Sequence, residues 1–325
     1  MIKLVSVMGF YFFVCACAGQ TKPVQYRDTV FSSVRVESNL AYRSPLPAGK
    51  AGKAYRFDLY EPGNLGASGS GDLPLFGTIL PATVAGAAGR PLIIWMHGGG
   101  FRFGSRKARG ARFWCTSFAR RGYLCASIDY RMTVKKTLTR FPALVKGCSL
   151  AVEDAREAVA YFKAHYKTWN IDTNRIILGG NSAGGIVALQ AAYSKPGDLL
   201  KLAGDTAQPA AGSPGGVAAV INFWGAMFEI SWLNNARVPI VSVHGGNDHI
   251  VHAGRKGEHF FGSLSIHLKA DSLSIPNRLK IYEGYSHELQ KHFNPFFTGR
   301  APKRRWQEAG QFAADFLYGL WCGGR

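Results

Sequence analysis

Short runs of consecutive apolar residues recur along this chain, and each ends in glycine or a polar turn. Leu92–Met96, Leu124–Ile128, Ile176–Leu178, Val217–Trp224 and Val238–Val243 are too continuous for strands with one wet face. They predict strands buried on both sides. Tyr55–Pro62 instead alternates, as a half-buried strand does, and Asn277–Tyr282 predicts one more. Helical spacing lies between these runs. Arg109–Arg120 predicts a helix, and Ala151, Ala155, Ala158, Val159 and Phe162 share a face with charges opposite. An alanine-rich segment follows Leu178. The chain closes on a helix carrying Phe312, Phe316, Leu317 and Leu320 on its apolar face. Strands alternating with helices predict an α/β fold: a mostly parallel central sheet, helices on both faces, and a site along the carboxyl edge of the strands. The Gly/Ala/Ser-rich stretch from Gly63 to Gly89 reads as a loop.

The first residues change the picture. Lys3 precedes an apolar stretch, Leu4–Val14, followed by small residues and then polar ones. This predicts a signal peptide over residues 1–19 and a single domain over 20–325. Ala16-Cys17-Ala18 suits ordinary cleavage, which predicts a secreted or periplasmic protein. Val14–Cys17 loosely matches a lipobox that would leave a lipid anchor on Cys17, the one route by which a membrane enters the reading. Beyond the leader stand Cys115, Cys125, Cys148 and Cys322, enough for two disulfides in an oxidising compartment, in any of three pairings, or for buried thiols. The net charge of +19 raises the question of polyanions, but the basic residues are scattered and no nucleic-acid motif accompanies them. A solvated basic surface is the reading adopted, with no nucleic-acid partner.

The candidate chemistry sits where strands end. Gly180-Asn181-Ser182-Ala183-Gly184 matches G-x-S-x-G between a strand and a helix, the context of a nucleophile elbow. A serine hydroxyl needs a base, and the base needs a carboxylate to fix its tautomer. His287 follows the last strand, and Asp248 follows the one before it. Ser182, Asp248 and His287 therefore form a candidate triad, in the chain order such folds use. His97-Gly98-Gly99-Gly100 follows another strand. There the N–H groups of Gly99 and Gly100, with that of Ala183, are candidate donors to an oxyanion. Phe101, Phe103, Tyr130, Trp224, Met227 and Tyr285 lie near strand ends and are candidate substrate-lining residues or core. His244, Asp248, His249 and His252 cluster in sequence, but no H-E-x-x-H exists and Asp248 is claimed by the triad, so no metal site is read here.

With "IIWMHGGGF", "SIDYRM", "RIILGGNSAGG", "SVHGGNDHIV" and "GYSHEL", the chain resembles the α/β-hydrolases. More narrowly it resembles the HGGG and G-x-S-A-G-G carboxylesterases and lipases, hormone-sensitive-lipase-like or bacterial feruloyl or acetyl esterases. Asn181 departs from the acid or histidine many relatives carry there. The resemblance implies hydrolysis of carboxylic esters through a serine acyl-enzyme, with no cofactor. Only a short segment separates the strand at Val217–Gly225 from the next, which leaves no room for a large helical cap. An open site predicts short-acyl esters or esters borne on a polysaccharide. A peptidase or amidase of the same fold, or a secreted binding protein that has lost its chemistry, are the alternatives. Oligomeric state is not legible in the sequence.

Overall fold

The computed structural model describes residues 24–44, 48, 53–63, 89–133, 140–206, 216–294 and 300–322. The leader, Cys17 and nearly all of the Gly63–Gly89 stretch lie outside them. In chain order the elements are β1 (Val34–Ala41), β2 (Arg56–Pro62), β3 (Arg90–Met96), α1 (Arg109–Ala119), β4 (Leu124–Ile128) and α2 (Phe141–Ala164). Then come α3 (Tyr166–Trp169), β5 (Ile171–Asn181), α4 (Ala183–Tyr193), α5 (Asp198–Leu202), β6 (Ala219–Phe223), β7 (Ala226–Met227) and β8 (Ile240–Gly245). β9 (Arg255–Lys256), β10 (Phe260–Gly262), α6 (Ser263–Ser272), β11 (Asn277–Tyr282) and α7 (Arg300–Trp321) complete the chain.

Eight strands form one sheet in the order β1-β2-β4-β3-β5-β6-β8-β11. β1 and β2 enter antiparallel, and from β4 onward every neighbouring pair is parallel. The continuous apolar runs are thereby explained, because alternate residues of one strand feed two different cores. Leu92, Ile94 and Met96 of β3 pack beneath α2 and α4, while Ile93 and Trp95 face α1 and α7 on the other side. Burying a side chain of this size stabilises by about 1.5–3 kcal/mol. One Leu or Ile turned to Asp in β3 is therefore enough to threaten the fold.

Two elements differ from the sequence reading. α2 begins at Phe141, well before the spaced alanines, with Pro142 in its first turn where a missing N–H costs nothing. β1 is an edge strand whose exposed positions carry Arg35, Glu37 and Ser38, so it shows no core-facing stripe. Asn39, at φ 65°, and a register break between Glu37 and Leu40 interrupt its alternation further.

No large cap interrupts the strands: between β6 and β8 stand only β7 and a short turn at Ile230–Leu233. In the Arg255–Pro276 segment, β9 and β10 join β7 in a small sheet. The segment then sends Ile266 and Ala270 of α6 into the core. Cys115, Cys125, Cys148 and Cys322 are all free, the first three buried, which corrects the disulfide option. Burial pushes each of the three buried thiols well above its ordinary value. Among the described residues no helix is long and apolar enough to cross a membrane.

Candidate active site

Ser182 lies between the last residue of β5 and the first of α4, with φ 55° and ψ −122°. A non-glycine residue held there stores strain that its surroundings must enforce. Its N–H donates to the Phe223 carbonyl on β6 at 2.9 Å, and its own carbonyl accepts the Ile186 N–H at 3.0 Å. The glycines around it are required by close approach. A Cβ on Gly184 would stand 2.0 Å from the Met96 carbonyl oxygen, and one on Gly180 would stand 2.3 Å from the Gly184 backbone. Only bare backbone lets β3, β5 and α4 meet at this corner.

The ring of His287 reaches Ser182 from three strands away. Its Nε2 lies 2.8 Å from Ser182 Oγ and its Nδ1 lies 2.7 Å from Asp248 Oδ2. The other carboxylate oxygen of Asp248 accepts the N–H groups of Ile250 and Val251 at 2.9 and 3.0 Å. Burial by itself raises the Asp248 pKa. Hydrogen bonds from His244 and His287 more than offset it, so the carboxyl sits well below the usual range and is ionised. An ionised carboxylate only accepts, so Nδ1 of His287 carries the proton and Nε2 offers its lone pair to the serine hydroxyl. The loop bearing His287 is held by α7: Trp306 Nε1 donates to the Glu288 carbonyl at 2.8 Å and Arg305 Nε to that of Leu289 at 2.7 Å. Glu288 and Leu289 both have positive φ, which turns the chain back at once after the histidine.

The glycine loop after β3 lies against the elbow. A Cβ on Gly98 would be 2.9 Å from Asn181 Nδ2 and 3.4 Å from Ser182 Cβ. Gly99 (φ 118°) and Gly100 (φ 60°) turn the loop. Their N–H groups, like that of Ala183, find no backbone acceptor among the described residues. Three donors left open beside a serine are what an oxyanion needs. His97 braces the loop from below. It is buried, its Nδ1 donates to the Gly98 carbonyl at 2.7 Å, and burial holds its pKa down so that the ring stays neutral.

Phe101, Trp224 and Met227, among the expected substrate-lining residues, are corrected by their burial, while Tyr130, also buried, keeps an edge on a neighbouring cleft. Tyr130 stacks on His97 at 4.4 Å and donates its hydroxyl to the His97 carbonyl at 2.6 Å, so its body supports the glycine loop and little of it meets solvent. Phe101, at φ 62°, is folded into the core under α2 and α4. Trp224, at φ 43°, turns back among Trp114, Trp306 and Phe223 on the α1 and α7 side. Met227 is likewise core. Tyr285 is half-buried with its ring 4.0 Å beneath the Arg305 guanidinium. Of the six aromatic and methionine candidates, Phe103 alone projects into solvent, at 65% exposure.

Sequence reasoning missed two neighbours of the triad. Phe293 meets the His287 ring edge-on at 5.0 Å. His244, fully buried, lies with Nε2 2.8 Å from the Val251 carbonyl and 3.4 Å from Asp248 Oδ2, and with Nδ1 2.7 Å from Ser263 Oγ. Asn222 donates to Ser263 from β6, so the Ser263 hydroxyl donates onward to Nδ1 and the His244 proton rests on Nε2. His244 thus pins the turn that carries Asp248. Its position beside Asp248 in sequence was the only available signal, and it is equally the signal of a metal ligand. Among the described residues no cluster of metal-ligating side chains forms.

The same architecture recurs in solved structures. The fold matches Thermogutta terrifontis esterase 2 phosphorylated by paraoxon, with a TM-score of 0.57 and 20% identity over 90% of this chain and 95% of that one. The propionate-bound form of that esterase matches with a TM-score of 0.56 at 19% identity, over 89% and 95%. The BD-FAE family model matches residues 79–229, the span from before β3 to just beyond β7. The fold is that of these esterases, an α/β-hydrolase fold. Among curated proteins that the chain is similar to, Lipase 2 of Moraxella sp. is 33% identical over 110 residues, 33% of this chain and 23% of that protein. Gut esterase 1 of Caenorhabditis elegans is 29% identical over 94 residues, 29% of this chain and 16% of that protein. The matched stretches thus span under a quarter of either relative.

Proposed function

We propose that this protein is a serine carboxylic-ester hydrolase working through an acyl-enzyme. The observation that carries the reading is the unbroken line Ser182 Oγ–His287 Nε2–Asp248 Oδ2, at 2.8 and 2.7 Å, with the N–H groups of Gly99, Gly100 and Ala183 finding no backbone acceptor among the described residues. His287 takes the serine proton as Oγ attacks the ester carbonyl, and Asp248 stabilises the imidazolium that forms. The carbonyl oxygen, now anionic, is received by the N–H groups of Gly99, Gly100 and Ala183. The imidazolium then protonates the leaving alcohol. Water, deprotonated by the same ring, attacks the acyl-serine, and Ser182 is regenerated. No step calls on a cofactor.

The substrates proposed are short-acyl esters, including acetyl or feruloyl groups on a polysaccharide. What supports them is the absence of a cap between β6 and β8, which leaves the carboxyl rim open to a bulky alcohol. The likeness to an esterase and a lipase favours ester over amide. The leader composition supports a secreted or periplasmic enzyme. The test is hydrolysis of p-nitrophenyl acetate, methyl ferulate and acetylated xylan by the wild-type protein and by Ser182→Ala, with acetanilide alongside. The wild type should cleave the esters and spare the anilide, and Ser182→Ala should be inactive with an unchanged circular dichroism spectrum. Full activity in Ser182→Ala would remove the serine from the mechanism.

A further inference from the structure

Beside the oxyanion loop, on the side away from α4, a cleft of about 910 Å3 opens above the ends of β2 and β4. Pockets of this size hold ligands as large as a sugar unit or an aromatic acid. Its floor and walls are mixed, with Ala54, Met132 and Phe103 supplying apolar surface, and its rim is cationic, with Lys53, Arg56 and Arg102. A fourth cation, Arg106, is already committed, with Asp58 accepting from its Nε at 2.8 Å and Asp129 bonded to its Nη1. Among the described lining residues Asp129 is the sole carboxylate, and it is consumed by that pair. Lys53, Arg56 and Arg102 have no carboxylate within salt-bridge distance among the described residues, where Arg56 donates only to the Asn39 carbonyl. Arg102 lies over the Phe103 ring at 5.2 Å, which holds its charge at the cleft mouth.

The cleft is mechanically part of the catalytic loop. Gly104 lines it, and a Cβ there would stand 2.5 Å from the Gly98 carbonyl oxygen, while Gly98 itself packs against Ser182. In the sheet, β3 alone separates β4 from β5, so the part of the cleft over β4 is displaced sideways by about 10 Å, two strand spacings, from the strand that carries Ser182. That distance is too long for a short acyl group held on Ser182. It suits the far end of an alcohol whose ester oxygen is at the serine.

We infer that this cleft is a subsite for an anionic group, a carboxylate in the first instance, carried on the alcohol portion of the ester about 10 Å from the scissile bond. The inference rests on the ester-hydrolase reading and adds a substrate class to it: esters of acidic alcohols, whether acidic saccharides or hydroxyaromatic acids. The three cations give the anion a charge-selective seat, and Phe103 and Met132 give its ring or chain an apolar wall.

The experiment compares two acetate esters, that of 4′-hydroxybiphenyl-4-carboxylate and that of its neutral methyl ester, which place charge or no charge at the required reach. In the wild type the ratio of kcat/KM, anionic over neutral, should be about tenfold or more at low salt and fall as salt is added. In Lys53→Met/Arg102→Met, both positions being exposed, the ratio should approach one, and in Lys53→Glu/Arg102→Glu it should invert. A wild-type ratio near one, untouched by either double variant while both esters turn over, overturns the subsite and leaves the hydrolase reading standing. If neither ester turns over, the hydrolase reading fails. Calorimetric titration with 4′-hydroxybiphenyl-4-carboxylate then decides the cleft separately. Binding lost on charge reversal supports it, and no binding to the wild type overturns it.

Discussion

Replacing Asp248 by Asn tests the relay with little change of shape. The Asn side-chain oxygen can take the place of Asp248 Oδ1, because the N–H groups of Ile250 and Val251 are donors and demand an acceptor at 2.9 and 3.0 Å. The amide NH2 is then directed at His287 Nδ1, where the carboxylate oxygen stood at 2.7 Å. Two donors cannot face each other, so the imidazole adopts its other tautomer, with the proton on Nε2. That proton points at Ser182 Oγ, 2.8 Å away, and the base is lost. For a serine hydrolase whose orienting carboxylate becomes an amide, the expected fall in kcat is about 10⁴, or ~5.4 kcal/mol of barrier. KM should change little. Stability suffers less, about 2 kcal/mol for one charge-assisted hydrogen bond, or roughly 5 °C in Tm for a chain of this size. The pH dependence of stability carries an independent sign. The folded-state pKa of Asp248 lies below its ordinary 3.8. Its contribution is therefore present above that value and lost as pH falls through it. Tm of the wild type should drop more steeply than that of Asp248→Asn below about pH 4. The assay is kcat for p-nitrophenyl acetate at pH 7–8 with thermal melts from pH 6 to 2.5. An Asp248→Asn protein within tenfold of wild-type kcat would refute the tautomer argument.

Gly104→Ala places a methyl group 2.5 Å from both the Gly98 oxygen and His97 Nδ1, at a φ of 96°. Steady-state kinetics should show kcat down by about 10² or more as the oxyanion donors shift. His244→Leu removes the donor to the Val251 carbonyl and the acceptor of Ser263, and should lower kcat through Asp248 while costing about 2–4 kcal/mol in a denaturant melt. From Gln20 onward, native protein should react with Ellman's reagent at Cys322 alone, and at Cys115, Cys125 and Cys148 only after unfolding. Reductant should leave Tm unchanged.

The parallel sheet was legible because strands buried on both faces must be apolar throughout, and because glycine-rich turns mark where each ends. The triad was legible for a related reason, since Ser182, Asp248 and His287 each follow such a run, and the sheet brings consecutive carboxyl ends to one rim. The substrate residues were not, because proximity to a strand end says nothing of direction. Phe101 and Trp224 take positive φ where a strand stops, which swings each ring into the core. Tyr130 finds its partner in a backbone carbonyl 33 residues away, a contact that no spacing encodes. His244 and His287 both stand near Asp248, and only the turn at Val251 decides which ring meets the serine. β1 escaped notice because an edge strand with polar positions on both sides leaves no stripe to read.

The central claim concerns one hydroxyl, and covalent capture tests it most directly. Wild-type protein treated with a fluorophosphonate should gain one adduct by intact mass, and peptide mapping should place it on Ser182. Labelling should fall sharply in His287→Ala. A folded, ester-cleaving protein whose adduct maps elsewhere, or that takes none, would contradict the account.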